Sequence, residues 1–147
     1  MKLRFANLTK EGSKGAIVSP QLDSVTFYST TPAIIQPLEI QKVQIGLVCE
    51  IPQGYVLNVS THPKLIDQAS EVFPNLLVID YNYQGELLVP VRNSGRNPLS
   101  LMPNTPIAVG YLVKIEQIEI EGFDYEVPKI QPKSTPQKKN PFSFEVK

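Results

Sequence analysis

Fourteen prolines are spread through 147 residues, and long helical periodicity is almost absent. Proline has no backbone N–H and holds φ at about −65°, so it breaks helices and sits at turns, bulges and sheet edges. A chain punctuated this way reads as all-β with many turns. Its length suffices for one domain with a buried core.

Taken in order, residues 2–8 alternate as a first strand and residues 9–15 are a polar loop. Val25 and Phe27, then Ile34 and Ile35, bracket a Ser/Thr/Pro turn, and Leu38, Ile40, Val43, Ile45 and Leu47 carry the apolar side of a longer strand. Pro52 and Gly54 make a tight turn in which glycine supplies a positive φ. Residues 63–73 are the one helical candidate, with Pro63 in its first turn, Leu65, Ala69, Val72 and Phe73 near one face, and Pro74 as its stop. Residues 77–89 run from an apolar stretch through Asp80-Tyr81-Asn82-Tyr83-Gln84-Gly85 into an alternating strand, which reads as a β-hairpin. Pro90 marks an edge or a bulge, and Gly110 a bend within a long strand or strand pair over 107–120.

The composition shifts at Pro128. Residues 128–147 interleave Pro with Lys, Gln, Ser and Thr, and carry five lysines against Glu145, a local charge of +4 that leaves −4 on residues 1–127. This segment reads as an extended arm on a 1–127 domain. Its alternating patch Phe142-Ser143-Phe144-Glu145-Val146 suits strand addition to another surface. The net charge of zero argues against a nucleic-acid partner. No stretch is long enough to span a bilayer and the N-terminus lacks a signal-peptide pattern, so the reading is a soluble protein without a membrane partner. Cys49, the only cysteine, lies in an apolar run and reads as a small buried hydrophobe.

Four short stretches, in order, resemble the trimeric dUTPase (dUTP diphosphatase) family over residues 24–111. Val78-Ile79-Asp80-Tyr81-Asn82-Tyr83-Gln84-Gly85 is similar to the third motif, V-I-D-x-D-Y-x-G. Ile51-Pro52-Gln53-Gly54-Tyr55 is similar to the I/L-P-x-G-Y turn, Asn93-Ser94-Gly95 to the N-x-G turn, and Ile107-Ala108 to part of the fourth motif. The spacing from Thr26 to Gly54 also fits. The resemblance implies a distorted jelly-roll or β-barrel subunit with at most one short helix, near 63–73, and a homotrimer with its clefts between subunits. It implies that Asp80 orients the attacking water, that Tyr83 packs on the sugar, and that the loop backbone around Asn82 and Gly85 reads the base.

The remaining motifs depart from the pattern. The first, G-x-D-L-x-A/S, falls on residues 24–29, where Thr26 replaces the metal-associated Asp. The second, P-R-S-S/G-L, falls on 61–65, where His62 replaces Arg and Pro63 replaces Ser; His62 and Lys64 are the phosphate candidates left. The fourth, G-D-R-I-A-Q, falls on 104–109 and loses Arg and Gln, and no glycine follows Gly122 to form the fifth, Gly-rich arm. Cleaving a triphosphate needs several fixed donors and, in this chemistry, Mg²⁺. The expectation is therefore a non-enzymatic viral or phage homotrimer, structural or partner-binding, in the host cytoplasm or a virion. Asp80 is its residual catalytic candidate, no metal site is expected, and the 128–147 arm is free to hold another virion or host protein. The alternative is a nucleotide binder or residual dUTP diphosphatase, needing Mg²⁺ only in the latter case.

Overall fold

The computed structural model describes residues 1–8 and 14–129. The chain divides into two compact units, Met1–Gln117 and Ile118–Lys147. The described part of the second unit, 118–129, has no helix or strand. The strand expected at 142–146 and nearly all of the expected arm lie outside the described residues.

The first unit is all-β. Its strands are β1 (Arg4–Asn7), β2 (Ala16–Val18), β3 (Val25–Tyr28), β4 (Ala33–Ile35), β5 (Ile40–Glu50) and β6 (Tyr55–Thr61). After a single-turn helix, α1 (Pro63–Ile66), come β7 (Ser70–Val72), β8 (Leu76–Asp80), β9 (Glu86–Asn93), β10 (Leu99–Leu101) and β11 (Pro106–Lys114). They form a four-stranded sheet β1-β5-β9-β7, a five-stranded sheet β2-β3-β11-β6-β8 and a small β10-β4 pair. Every pairing is antiparallel. This is the jelly-roll type of architecture the sequence implied.

Alternation decides what is inside. Leu87, Val89 and Val91 of β9 and Val43, Ile45 and Leu47 of β5 face inward from one sheet. Phe27, Leu57, Val59 and Ile107 meet them from the other, and Ile35 and Leu101 close one end. Three polar residues are buried among the described ones, Ser29, Ser70 and Asn93, and Asn93 ties the turn after β9 to the core. Its amide donates to the carbonyls of Ile35 (2.9 Å) and Asn97 (2.7 Å), and its Oδ1 accepts from the Gly95 N–H (2.9 Å). The N-x-G turn is thus held from the core side by its own first residue.

Four expectations are corrected. First, β8 and β9 do not form a hairpin: β8 pairs with β6, whereas β9 pairs with β5 and β7. The five residues between them cross from one sheet to the other, because Ile79 faces the core from one side and Leu87 from the opposite one. Second, the helix over 63–73 is one turn. Ala69 takes φ +56°, and Ser70 to Val72 join the edge of β9, so sheet pairing overrides local helical spacing. Third, Pro90 lies in an interior strand and the β5–β9 irregularity is elsewhere, between Gln44 and Val48. The Phe73 N–H donates to the Pro90 carbonyl (3.0 Å), and proline has no N–H to return the bond, so Pro90 stands where the ladder to β7 stops. Fourth, Gly110 is mid-strand, paired with Val25 and Val59. A Cβ there would lie 2.7 Å from Cε2 of Phe27, so close packing and not a bend demands glycine. The strand itself ends at Lys114.

Candidate functional site

The crossing loop builds its own geometry. Asp80 ends β8, and its Oδ1 accepts from the Asn82 N–H (2.9 Å) while its carbonyl accepts from the Tyr83 N–H (3.2 Å). An aspartate that bonds the backbone two residues on makes the turn locally. The Tyr83 hydroxyl donates to the Glu86 carbonyl (2.7 Å), which fixes the ring across the loop. Gly85 has φ +97° with open space around it, so the backbone conformation requires glycine there. Tyr83 and Gly85, with Tyr81 and Gln84, form one wall of a groove of about 440 Å³ whose other wall is residues 48–51 at the end of β5. Asp80 and Asn82 belong to the turn behind this groove and do not line it. Among the described residues nothing plugs it. Cys49, in its wall, is 3% exposed and burial pushes its thiol pKa up.

His62 and Lys64 lie elsewhere. His62 caps α1, its Nδ1 accepting from the Lys64 N–H (3.1 Å), and Pro63 is the first helical residue. Burial, then the nearby Lys64 charge, hold the His62 pKa below its usual value. Asp80 pairs with Val56 at one end of β6, whereas His62 follows the other end. Six residues of strand separate the two by about 20 Å. One subunit therefore does not bring its loop and its His62 together.

What the fold does bring together is two of the departed motifs, the first and the fourth. Val109 pairs with Thr26 on one side and with Ser60 on the other, so the first and fourth motifs and the strand leading to the second lie in one row. Ile17 extends that row across β2 and Leu76 across β8. Beside it runs a second row, Tyr111–Asn58–Val78. These side chains point away from the core, and neither row contains a charge. Ile17, Leu76, Val78 and Tyr111 are each about half exposed, and Asn58 Oδ1 is buried without a hydrogen-bond partner. Sequence reading missed this face. Its signal was present, apolar residues at outward positions of β2, β8 and β11, but the row exists only once non-neighbouring strands are paired.

The Mg²⁺ that the resemblance implies is not matched by these donors. Thr26 offers a neutral hydroxyl where hard cations take carboxylates. Asp23 accepts from Ser19 Oγ (2.6 Å), which lowers its pKa, in the turn before β3. Among the described residues no three His, Cys, Asp or Glu side chains converge. No helix there is long and apolar enough to cross a membrane.

Comparison with known proteins places this geometry. No protein-family model matches the chain. The dUTPase of Staphylococcus aureus phage phi11, solved as a point mutant, superposes with a TM-score of 0.75 at 14% identity, covering 86% of this chain and 99% of that one. The architecture is thus that of a dUTPase subunit. In sequence, the deoxyuridine 5′-triphosphate nucleotidohydrolase of Fusobacterium nucleatum is 34% identical over 111 residues, 74% of this chain and 70% of the relative. That of Orientia tsutsugamushi (strain Ikeda) is 30% identical over 95 residues, and the match spans 64% of its length, just under two thirds. The chain belongs to the dUTPase family.

Proposed function

We propose that this chain is a non-hydrolytic dUTPase-family homotrimer, a structural or partner-binding module of a virus or phage. The observation that carries the reading is the uncharged Thr26–Val109–Ser60 row. Thr26, where the family pattern has its metal-associated Asp, pairs directly with Val109, where it has Gln, and neither their row nor the one beside it carries a charge with which to hold metal or phosphate. Each lost positioning donor typically lowers such a rate on the order of a hundredfold or more. The helix start nearest the face adds little: Pro63 lacks an N–H, and His62 spends its Nδ1 on the cap.

The same geometry supports assembly. The loop and His62 lie at opposite ends of β6, so a cleft using both must draw on two copies. The half-exposed apolar rows also need cover, and the Asn58 carbonyl a donor. Light scattering should give three times the 16.4 kDa subunit. Incubation with dUTP and Mg²⁺ tests the chemistry, and turnover at an ordinary enzymatic rate sinks the non-hydrolytic reading. The 128–147 arm is proposed as the segment that meets a further virion or host protein. Its deletion should abolish partner capture and leave the trimer intact.

A second reading is retained ligand binding at Tyr83. It is favoured by the open groove and the ring fixed within it. Tyr83→Ala should then lose the thermal stabilisation given by whichever nucleoside or nucleotide the parent binds.

A further inference from the structure

We propose that a groove between α1 and β7 takes an alkylammonium group, a lysine side chain or a free polyamine, with Glu71 as its counter-charge. This groove is separate from the one beside Tyr83 and shares no lining residue with it.

Its position follows from the path of the chain. Beyond α1 the left-handed Ala69 turns the chain into β7, and the Ala69 carbonyl accepts from the Ser94 N–H (3.0 Å), which holds the turn after β9 against it. Between these segments and the end of β6 lies a space of about 490 Å³. Ile66, 59% exposed, and Ala69 supply apolar walls.

Glu71 is the one charged side chain among the described residues lining this space. Its Oε1 lies 3.4 Å from the Ser94 hydroxyl, and both residues line the groove. Among the described residues no cation pairs with it. Arg92 stands opposite Glu71 in the β7–β9 ladder, yet its guanidinium lies over the Phe73 ring, 5.7 Å from the centroid, and its Nε is buried without a hydrogen-bond partner. The cross-strand ion pair that the register permits is not made, and the carboxylate is left to the groove.

The walls select the ligand. A long alkylammonium lays its methylenes on apolar surface and carries its charge at the tip. Ile66 and Ala69 suit the stem and Glu71 the tip. An ammonium has three donors and no acceptor, so it needs oxygens that are not already engaged. Thr61 Oγ1 accepts from the Val72 N–H (2.9 Å) and the Ser70 hydroxyl donates to the Gln68 carbonyl (3.3 Å), whereas the Ser60 hydroxyl and the Asn75 side-chain carbonyl are uncommitted among the described residues. A hard divalent cation fits less well, because it takes several carboxylates and the groove has one. An anion would find no cation lining the groove.

The test follows the backbone amide signals of the isotope-labelled full chain as three probes are added in turn. They are spermidine, Nα-acetyl-lysine amide, and its Nε-acetylated form, which keeps the stem and loses the charge. The two amines should move the signals of Ser70, Glu71 and Ser94, and the Nε-acetylated probe should leave them in place. Glu71→Gln should weaken both amines about tenfold, and added salt should weaken them in the parent. Tighter binding of spermidine assigns the site to free polyamines, and tighter binding of the lysine amide assigns it to a partner's lysine. The inference is overturned if neither amine moves these signals, or if the Nε-acetylated probe or Mg²⁺ at equal concentration moves them as far. Equal affinity of the parent and a folded Glu71→Gln for both amines overturns it as well.

Discussion

Asn93→Ala is the substitution whose consequence is best determined by the structure. Asn93 is 1% exposed, and its side chain closes three hydrogen bonds, to the carbonyls of Ile35 and Asn97 and from the Gly95 N–H. Together they tie β9, β4 and the 93–97 turn into one unit. Each such bond contributes about 1 kcal/mol net, and an abandoned buried partner costs more than that. The variant should therefore lose about 3 kcal/mol. Urea denaturation at fixed protein concentration reads this directly. With a slope of about 2 kcal/mol/M, the midpoint should fall by about 1.5 M. Ser94→Ala is the internal control, since its hydroxyl makes one long contact (3.4 Å) to Glu71 and is exposed. It should stay within about 0.5 kcal/mol of the parent. Asn93→Asp sharpens the case, because a carboxylate would face two carbonyl oxygens. Its pKa in the fold would rise above the unfolded value of about 3.9, so stability should fall as pH rises through that value. The reasoning fails if Asn93→Ala is no less stable than Ser94→Ala.

Three further outcomes are expected. Gly110→Ala forces a Cβ to within 2.7 Å of the buried Phe27 ring, and overpacking of this kind costs about 1–3 kcal/mol; an unchanged melting temperature would refute the packing account. Gly85→Ala places a side chain at φ +97° in open space, so its cost of about 1–2 kcal/mol is backbone strain alone, and proteolysis at 81–85 should rise with it. His62 has its pKa lowered by burial and by Lys64, and only its neutral Nδ1 accepts from the Lys64 N–H. The unfolded chain then takes up the proton more readily, so this contribution is present above pH about 6.5 and lost as pH falls below it. His62→Ala should flatten that part of the stability-against-pH curve, and an identical curve counts against the cap.

The strands of this fold were legible wherever alternation and punctuation agreed, as in β5, β6 and β9. Their partners were not. Residues 77–89 show two alternating runs joined by a short Asn- and Gly-containing link, and a hairpin and a sheet crossing have the same local pattern. The choice is made by which core wall Ile79 and Leu87 each fill, a non-local fact. Helical spacing over 63–73 was real, but the edge of β9 offered Ser70 and Val72 a better partner. Gly110 was noticed and its reason misread, because the Phe27 ring that excludes a Cβ is remote in sequence. Of the site, Asp80, Tyr83 and Gly85 were legible as one local turn. The opposing wall with Glu50 and the uncharged Thr26–Val109–Ser60 row required the three-dimensional pairing.

The crossing of residues 81–85 between sheets carries a consequence for how motif and chemistry separate. A loop at the tip of a hairpin can drift without disturbing the core, whereas this one is a covalent joint between the two walls of the sandwich. Its Asp80 turn, its Tyr83–Glu86 bond and the left-handed Gly85 set the span and angle at which β8 hands the chain to β9. Two separate demands thus fall on one set of residues. On the non-hydrolytic reading proposed above the catalytic demand is gone, and the architectural one stays. The most recognisable signature in this chain is, on that account, a hinge pin the barrel must keep whatever the protein now does.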